Sequence, residues 1–199
     1  LIIIKLFKKE NLKEDLVLSL IIWLFVGGIL GARIGYVIFY NLSFYLSNPE
    51  EIFFINHGGL SSHGLTLGLL ISFFAFIRIK KINWKKILDL IIIPVPLLAS
   101  FIRIGNFFNS EIVGRPTDLP WGVLYPLYEI NPILRHPCQI YESLTTLIIF
   151  FILIFVYKKY NNKQTLFLFH LFLILYFSSR FLLEFFKEWQ VLTPANIFT

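Results

Sequence analysis

The sequence predicts an all-α integral membrane protein, a polytopic helical bundle of about five spans with an ordered loop region on its outer face. Three observations predict it. Of the 199 residues 57% are hydrophobic and only 15% charged, with a mean hydropathy of +0.74, far from the roughly quarter-charged profile of a water-soluble domain. Five apolar segments, at 15–40, 63–79, 87–105, 137–157 and 165–186, each approach the length that a hydrocarbon core demands. Lysines crowd alternate connections, which is the pattern of topology signals rather than of a nucleic-acid face.

The elements follow in order. The opening "LIIIKLFKKENLKED" has its charges after the apolar run and carries no small-residue cleavage site, so it is expected to be the tail of a helix, not a signal peptide. With no methionine anywhere, the chain is expected to begin inside a longer protein, after at least one upstream helix, and to be truncated at both ends of a single transmembrane domain spanning 1–199. The basic connections at 8–15, 78–86 and 158–163 are assigned to the cytoplasm, and five spans keep that assignment consistent. The connections 41–62 and 106–136 then lie outside, and neither contains lysine. The second holds Gly114, Pro116, Pro120, Gly122, Pro126 and Pro132, too many breakers for a helix, and is expected to form an ordered cap.

Charges that stand inside apolar segments are Arg33, Arg103, Arg180 and Glu184. Each costs from about 2.5 kcal/mol at mid-bilayer, so such residues pair with one another or line a functional cavity. Arg180 and Glu184 are four apart and share a helix face, which allows a local ion pair. Arg103 has no acidic residue three or four positions away and needs a distant partner or an anionic ligand; the sequence alone favours the ligand. Glu142 follows Pro137 in the first turns of a span, where a carboxylate suits a helix N-terminus. His63 lies in "GGLSSHG", among small residues that permit close approach. Cys138 is the single cysteine, and no neighbour in sequence plainly activates it. The expected grouping is an outward-facing cavity of Arg103, Arg180, His63, Asn106, Glu111 and Glu142. Two guanidinium groups suit a phosphate, which they can grip bidentately while staying charged. The nearest such anion is a phospholipid headgroup.

"RIGNFFNSEIVGRPTDLPWGV", beginning at Arg103, resembles the signature of the prolipoprotein diacylglyceryl transferase family. "GARIGYVIFYN", "GGLSSHG", "HPCQIYES" and "SRFLLEFF" stand in that family's order, so the resemblance covers most of the chain. It implies a bacterial inner-membrane enzyme that needs no metal or other cofactor, with its site toward the periplasmic face. The implied reaction transfers the diacylglyceryl group of phosphatidylglycerol to the cysteine thiol of a prolipoprotein signal-peptide lipobox, releasing glycerol 1-phosphate. By the same resemblance Arg103, Arg180 and His63 are the catalytic residues. Arg103, Asn106, Glu111, Gly114, Tyr141, Glu142 and Glu184 are the substrate-binding ones. The expected partners are the two substrates and the lipid bilayer, and no nucleic acid.

Other classes fit the residues less well. A transporter or channel for an anionic solute could also use intramembrane arginines, but no repeat symmetry is visible. A Mg²⁺-dependent phosphatidyl transferase would need clustered aspartates, whereas Asp15, Asp89 and Asp118 are scattered.

Overall fold

The computed structural model describes residues 2–160 and 166–188. Among the described residues eight α-helices run in order: α1 Ile2–Lys9, α2 Glu14–Tyr40, α3 Leu42–Ser47, α4 Ser62–Lys80, α5 Trp84–Ile91, α6 Val95–Phe108, α7 Cys138–Tyr160 and α8 Phe167–Glu184. Among the described residues the only β structure is three isolated bridges in and beside the 106–136 connection. Five stretches among the described residues are long and apolar enough to cross a membrane: Glu14–Tyr40, Ser62–Lys80, Trp84–Phe108, Cys138–Lys159 and Phe167–Glu184. They agree with the expected segments to within three residues at each end. The basic connection expected at 158–163 lies partly outside the described residues.

One expected span is not a continuous helix. Between α5 and α6 the chain makes a turn at 92–94, ending at Pro94. Proline lacks an N–H and disfavours helical backbone before it, so Pro94 and Pro96 restart the helix rather than extend it. The apolar periodicity continues across the break, and hydropathy alone therefore reads one element.

The chain forms two compact units, Leu1–Ile87 and Leu88–Thr199. In the first, α2 packs along α4 through small residues at intervals of four: Gly27, Gly31 and Gly35 face Gly64, Gly68 and Ser72. A Cβ on Gly31 would fall 2.6 Å from the Gly68 Cα, so the backbones touch. Such contact supplies the dispersion that holds helices together where lipid removes the hydrophobic driving force. The outer faces of the same helices carry Ile22, Phe25, Ile71 and Phe74 exposed, as a lipid-facing surface requires.

Arg33 is buried in this unit and is bound as a structural clamp. Its guanidinium donates to the carbonyls of Glu51, Ile52, Phe54, Gly58 and Gly59 at 2.5–3.2 Å, and its charge sits over the Tyr45 ring. Five donors in a rigid fork satisfy the irregular backbone of 3-10 turns Pro49–Phe53 and Ile55–His57, which hydrocarbon could not.

In the second unit α7 packs against α6 and α8. Ile93, Leu153 and Leu168 are fully buried, and a Ser100–Ser143 hydroxyl pair at 2.8 Å marks where α6 and α7 approach closely. Asp89 is also buried and fixes the start of α8. Its carboxylate accepts from the backbone N–H groups of Leu166 at 2.6 Å and Phe169 at 2.9 Å. The exposed N-terminal donors of α8 are thus satisfied by a side chain 77 residues earlier in the chain, which also complements the helix dipole.

Candidate functional site

The site grows from three helix ends in the second unit. Arg103 lies five residues before the end of α6, Glu142 four after the start of α7, and Arg180 four before the end of α8. At 1.5 Å per residue each is about 6–8 Å inside its helix terminus. The charges therefore sit near the edge of the apolar zone, where their desolvation is less severe than at its centre.

Glu142 is the hub. Its side chain is 3% exposed, and Arg103, Arg180 and Lys187 all converge on it. Arg103 Nε is 2.6 Å from Oε2, Lys187 Nζ is 2.5 Å from Oε1, and Arg180 Nη1 donates to Oε1. The Arg103 N–H is not aligned on Oε2, so that contact is one of charge, and the buried oxygen receives no hydrogen bond among the described residues. Glu184, largely exposed, lies 3.9 Å from Arg180 and 3.8 Å from Lys187. Removing one partner from such a buried constellation leaves an uncompensated charge, so its members depend on one another.

Beside the hub opens a cleft of about 230 Å³, lined by Arg103, Glu142 and Arg180 together with Ile102, Tyr176 and Leu183. Apolar walls with a few convergent polar groups are the usual build of a small-molecule site. The closest approach of Arg103 to the carboxylate is through Nε. Arg180 is a third exposed. The cleft thus offers guanidinium donors to an anion and apolar surface to whatever is attached to it.

Over the helix ends lies the cap expected at 106–136. Arg135 is its anchor: it meets Glu129 through Nε and Nη2, both at 3.0 Å, and pairs with Glu188. It also donates to the Gly114 carbonyl at 3.2 Å and lies over the Tyr128 ring. These carboxylates hold the Arg135 guanidinium pKa well above its ordinary value, and Arg135 in turn holds Glu129 below the usual carboxylate range. Tyr125, buried, donates to Gln139 Oε1 at 3.0 Å, and Gln139 Nε2 donates to the Glu111 carbonyl at 2.6 Å. Burial, and secondarily the nearby Cys138, pushes the Tyr125 phenol up to about 12.

The cap also carries the segment after α8. The Arg115 N–H donates to the Phe186 carbonyl at 2.9 Å and the Glu188 N–H to the Val113 carbonyl at 3.3 Å, while Arg115 Nε reaches the Lys187 carbonyl at 2.8 Å. Lys187 is thereby held with its ammonium on Glu142.

The structure brings together Arg103, Arg180, Glu142 and Glu184 of the expected residues. The local Arg180–Glu184 pair is present but long, and the distant Glu142 takes the closer position. Arg103, with no acidic residue three or four positions away, has a distant partner in that same carboxylate. Glu142 is likewise more than a charge at a helix N-terminus. Asn106, Glu111, Gly114 and Tyr141 belong to the cap and its seat. The Asn106 carbonyl accepts from the Glu111 N–H at 2.9 Å, Glu111 is exposed, and the Tyr141 hydroxyl accepts from Trp121 Nε1 at 2.8 Å. Gly114 is buried where no side chain fits: a Cβ would meet the His136 carbonyl oxygen and come within 2.7 Å of Cys138 Sγ. His63 is in the first unit, exposed on α4, with the Tyr40 hydroxyl 3.5 Å from its Nδ1. Cys138 is buried, its thiol directed to the Phe186 carbonyl at 3.1 Å.

Lys187 was missed by sequence reasoning, and its signal was weak: a lysine just past an apolar helix ordinarily snorkels to water. Here it is 8% exposed.

The model of the family described as prolipoprotein diacylglyceryl transferase matches residues 1–198. The chain is 38% identical over 195 residues to the phosphatidylglycerol–prolipoprotein diacylglyceryl transferase of Tolumonas auensis, covering 96% of this chain and 74% of that protein. Against the protein of the same name from Chloroherpeton thalassium it is 41% identical over 190 residues, covering 94% and 69% respectively. A third relative so named, from Bacteroides fragilis, is 36% identical over 198 residues, covering 93% and 71%.

Proposed function

The chain belongs to the prolipoprotein diacylglyceryl transferase family, and from that premise we propose that it transfers the diacylglyceryl group of phosphatidylglycerol to the lipobox cysteine thiol of a prolipoprotein signal peptide. The proposed setting is the bacterial inner membrane, crossed several times, with the cleft toward the outer face. The observation that carries the reading is the pair of arginines from α6 and α8 fixed on one buried carboxylate beside an apolar-walled cleft.

The chemistry suits such a site. A cysteine sulfur attacks the glycerol carbon esterified to phosphate; the C–S bond forms, the C–O bond breaks, and the phosphate oxygen leaves with the electron pair as glycerol 1-phosphate. Charge grows on that oxygen, and preorganised donors aimed at developing charge are usually the largest catalytic contribution. Arg103 and Arg180 fill this role because guanidinium keeps its charge in a poor dielectric and matches phosphate oxygens. The apolar wall receives the first carbons of the diacylglyceryl group. Free cysteine has a pKa near 8.5, so the attacking thiol gains from a proton acceptor. His63 is proposed for that role on the matched motif.

The test is a transfer assay on the full-length protein in membranes, with phosphatidylglycerol labelled in an acyl chain and a lipobox peptide. Label appearing on the peptide cysteine supports the reading. Properly folded protein that never moves label refutes it. No observation favours an anionic-solute transporter.

A further inference from the structure

We propose that Glu142 sets the ligand-charge preference of the cleft, matching it to a phosphodiester with one negative charge and limiting its hold on phosphomonoesters with two. The inference rests on the reading of the cleft as a lipid-headgroup site.

Three cations, Arg103, Arg180 and Lys187, meet around Glu142, and Glu184 touches two of them. Of the groups that line the cleft, Arg103 and Arg180 against Glu142 leave one positive charge uncancelled, and beside it Lys187 and Glu184, 3.8 Å apart, offset each other. Glu142 Oε2 has essentially no exposed surface, so a ligand hydroxyl does not reach it; the carboxylate acts on a ligand through the arginines it binds and the charge it cancels. Glu184 is 63% exposed and does not line the cleft, so the buried Glu142 is the counter-charge to Arg103 and Arg180 inside it.

A phosphodiester carries a single negative charge at neutral pH. A phosphomonoester has a second pKa near 6 and approaches two. In the proposed reaction the substrate is the former and the departing product the latter. A cleft with one net positive charge fits the substrate and avoids the surplus attraction that would trap the product. With Glu142 neutral the cleft would carry two positive charges and favour the product instead. A unit charge a few ångströms away near a protein surface changes affinity by on the order of tenfold or more.

The experiment compares wild type, Glu142→Gln and Glu142→Asp as full-length protein in lipid-free detergent. Calorimetry measures binding of glycerol phosphate, a monoester, and glycerophosphoglycerol, a diester; transfer is assayed in parallel. Glu142→Gln is expected to shift the monoester-to-diester affinity ratio toward the monoester by on the order of tenfold, and Glu142→Asp to keep the wild-type ratio. A folded Glu142→Gln protein with an unchanged ratio, or with both ligands weakened equally, overturns the proposal. Should that variant fail to fold, Glu184→Gln adds the same charge at an exposed position and is expected to shift the ratio the same way by a smaller factor; no shift there overturns it too. A wild type that binds both probes with the expected dependence on Glu142 yet transfers nothing supports the charge preference and refutes the transferase reading. A wild type that binds neither overturns both.

Discussion

Replacing Gly114 by alanine is the sharpest test of how the cap supports the cleft. The added Cβ would land on the His136 carbonyl oxygen and lie 2.7 Å from Cys138 Sγ, contacts that no relaxed structure keeps. The backbone on one side has to give. That backbone is shared: Gly114 bridges to Lys187, its carbonyl accepts from Arg135, and the residues on either side of it bond to Phe186 and Glu188. Overpacking of this kind costs about 1–3 kcal/mol. Loss of the Arg135 hydrogen bond adds about 1 kcal/mol. The expected outcome is a purified protein that still inserts but melts lower, by about 2–4 °C per kcal/mol for a chain of this size. Its transfer activity should fall more than its stability, because displacing the 186–188 segment withdraws Lys187 from Glu142. Cys138→Ala in the same background relieves only the sulfur contact and is expected to restore little, since the His136 carbonyl remains. Full stability and turnover in Gly114→Ala would refute both the packing argument and the link from cap to hub.

Two other predictions concern the frame. Asp89→Ala removes the acceptor of two backbone N–H groups at the start of α8, and is expected to destabilise the protein by about 1–2 kcal/mol; Asp89→Asn keeps one acceptor oxygen and should lose less, and equal unfolding midpoints for all three proteins would contradict the assignment. Tyr125, with its phenol pushed up to about 12, keeps its proton in the folded state after an unfolded tyrosine, with a pKa near 10, has released it. Its contribution to stability is therefore intact below pH 10 and lost as pH rises toward 12. Tyr125→Phe should flatten that alkaline loss in denaturant titrations, and an unchanged slope would show that the buried phenol is not its source.

The spans were legible in the sequence because hydropathy reports local chemistry, and all five fall within three residues of the expected limits. The turn at Pro94 was legible too, had proline been weighed against the unbroken apolar pattern. So were the small-residue rows Gly27-Gly31-Gly35 and Gly64-Gly68-Ser72, whose four-residue spacing is itself the packing signal. Arg33 shows the limit of reasoning from cost alone. A charge in an apolar segment points equally to a ligand site and to a clamp on irregular backbone, and only the five carbonyls around it decide. Arg103 and Arg180 were found because their expense was visible. Their common partner was not, since Glu142 lies 39 residues from one and 38 from the other. Lys187 and Asp89 escaped for the same reason: each looks like an ordinary charge at a helix end until the fold supplies its distant partners.

The proposed transfer depends on Arg103 and Arg180, fixed on Glu142, holding the phosphate that leaves. It is tested most directly by transfer of labelled diacylglyceryl to a lipobox peptide by Arg103→Ala and Arg180→Ala proteins that insert and stay folded at the assay temperature. Each variant is expected to lose on the order of a hundredfold or more in turnover, and lysine at either position to recover part of it. Turnover within a few-fold of wild type in either alanine variant would contradict it.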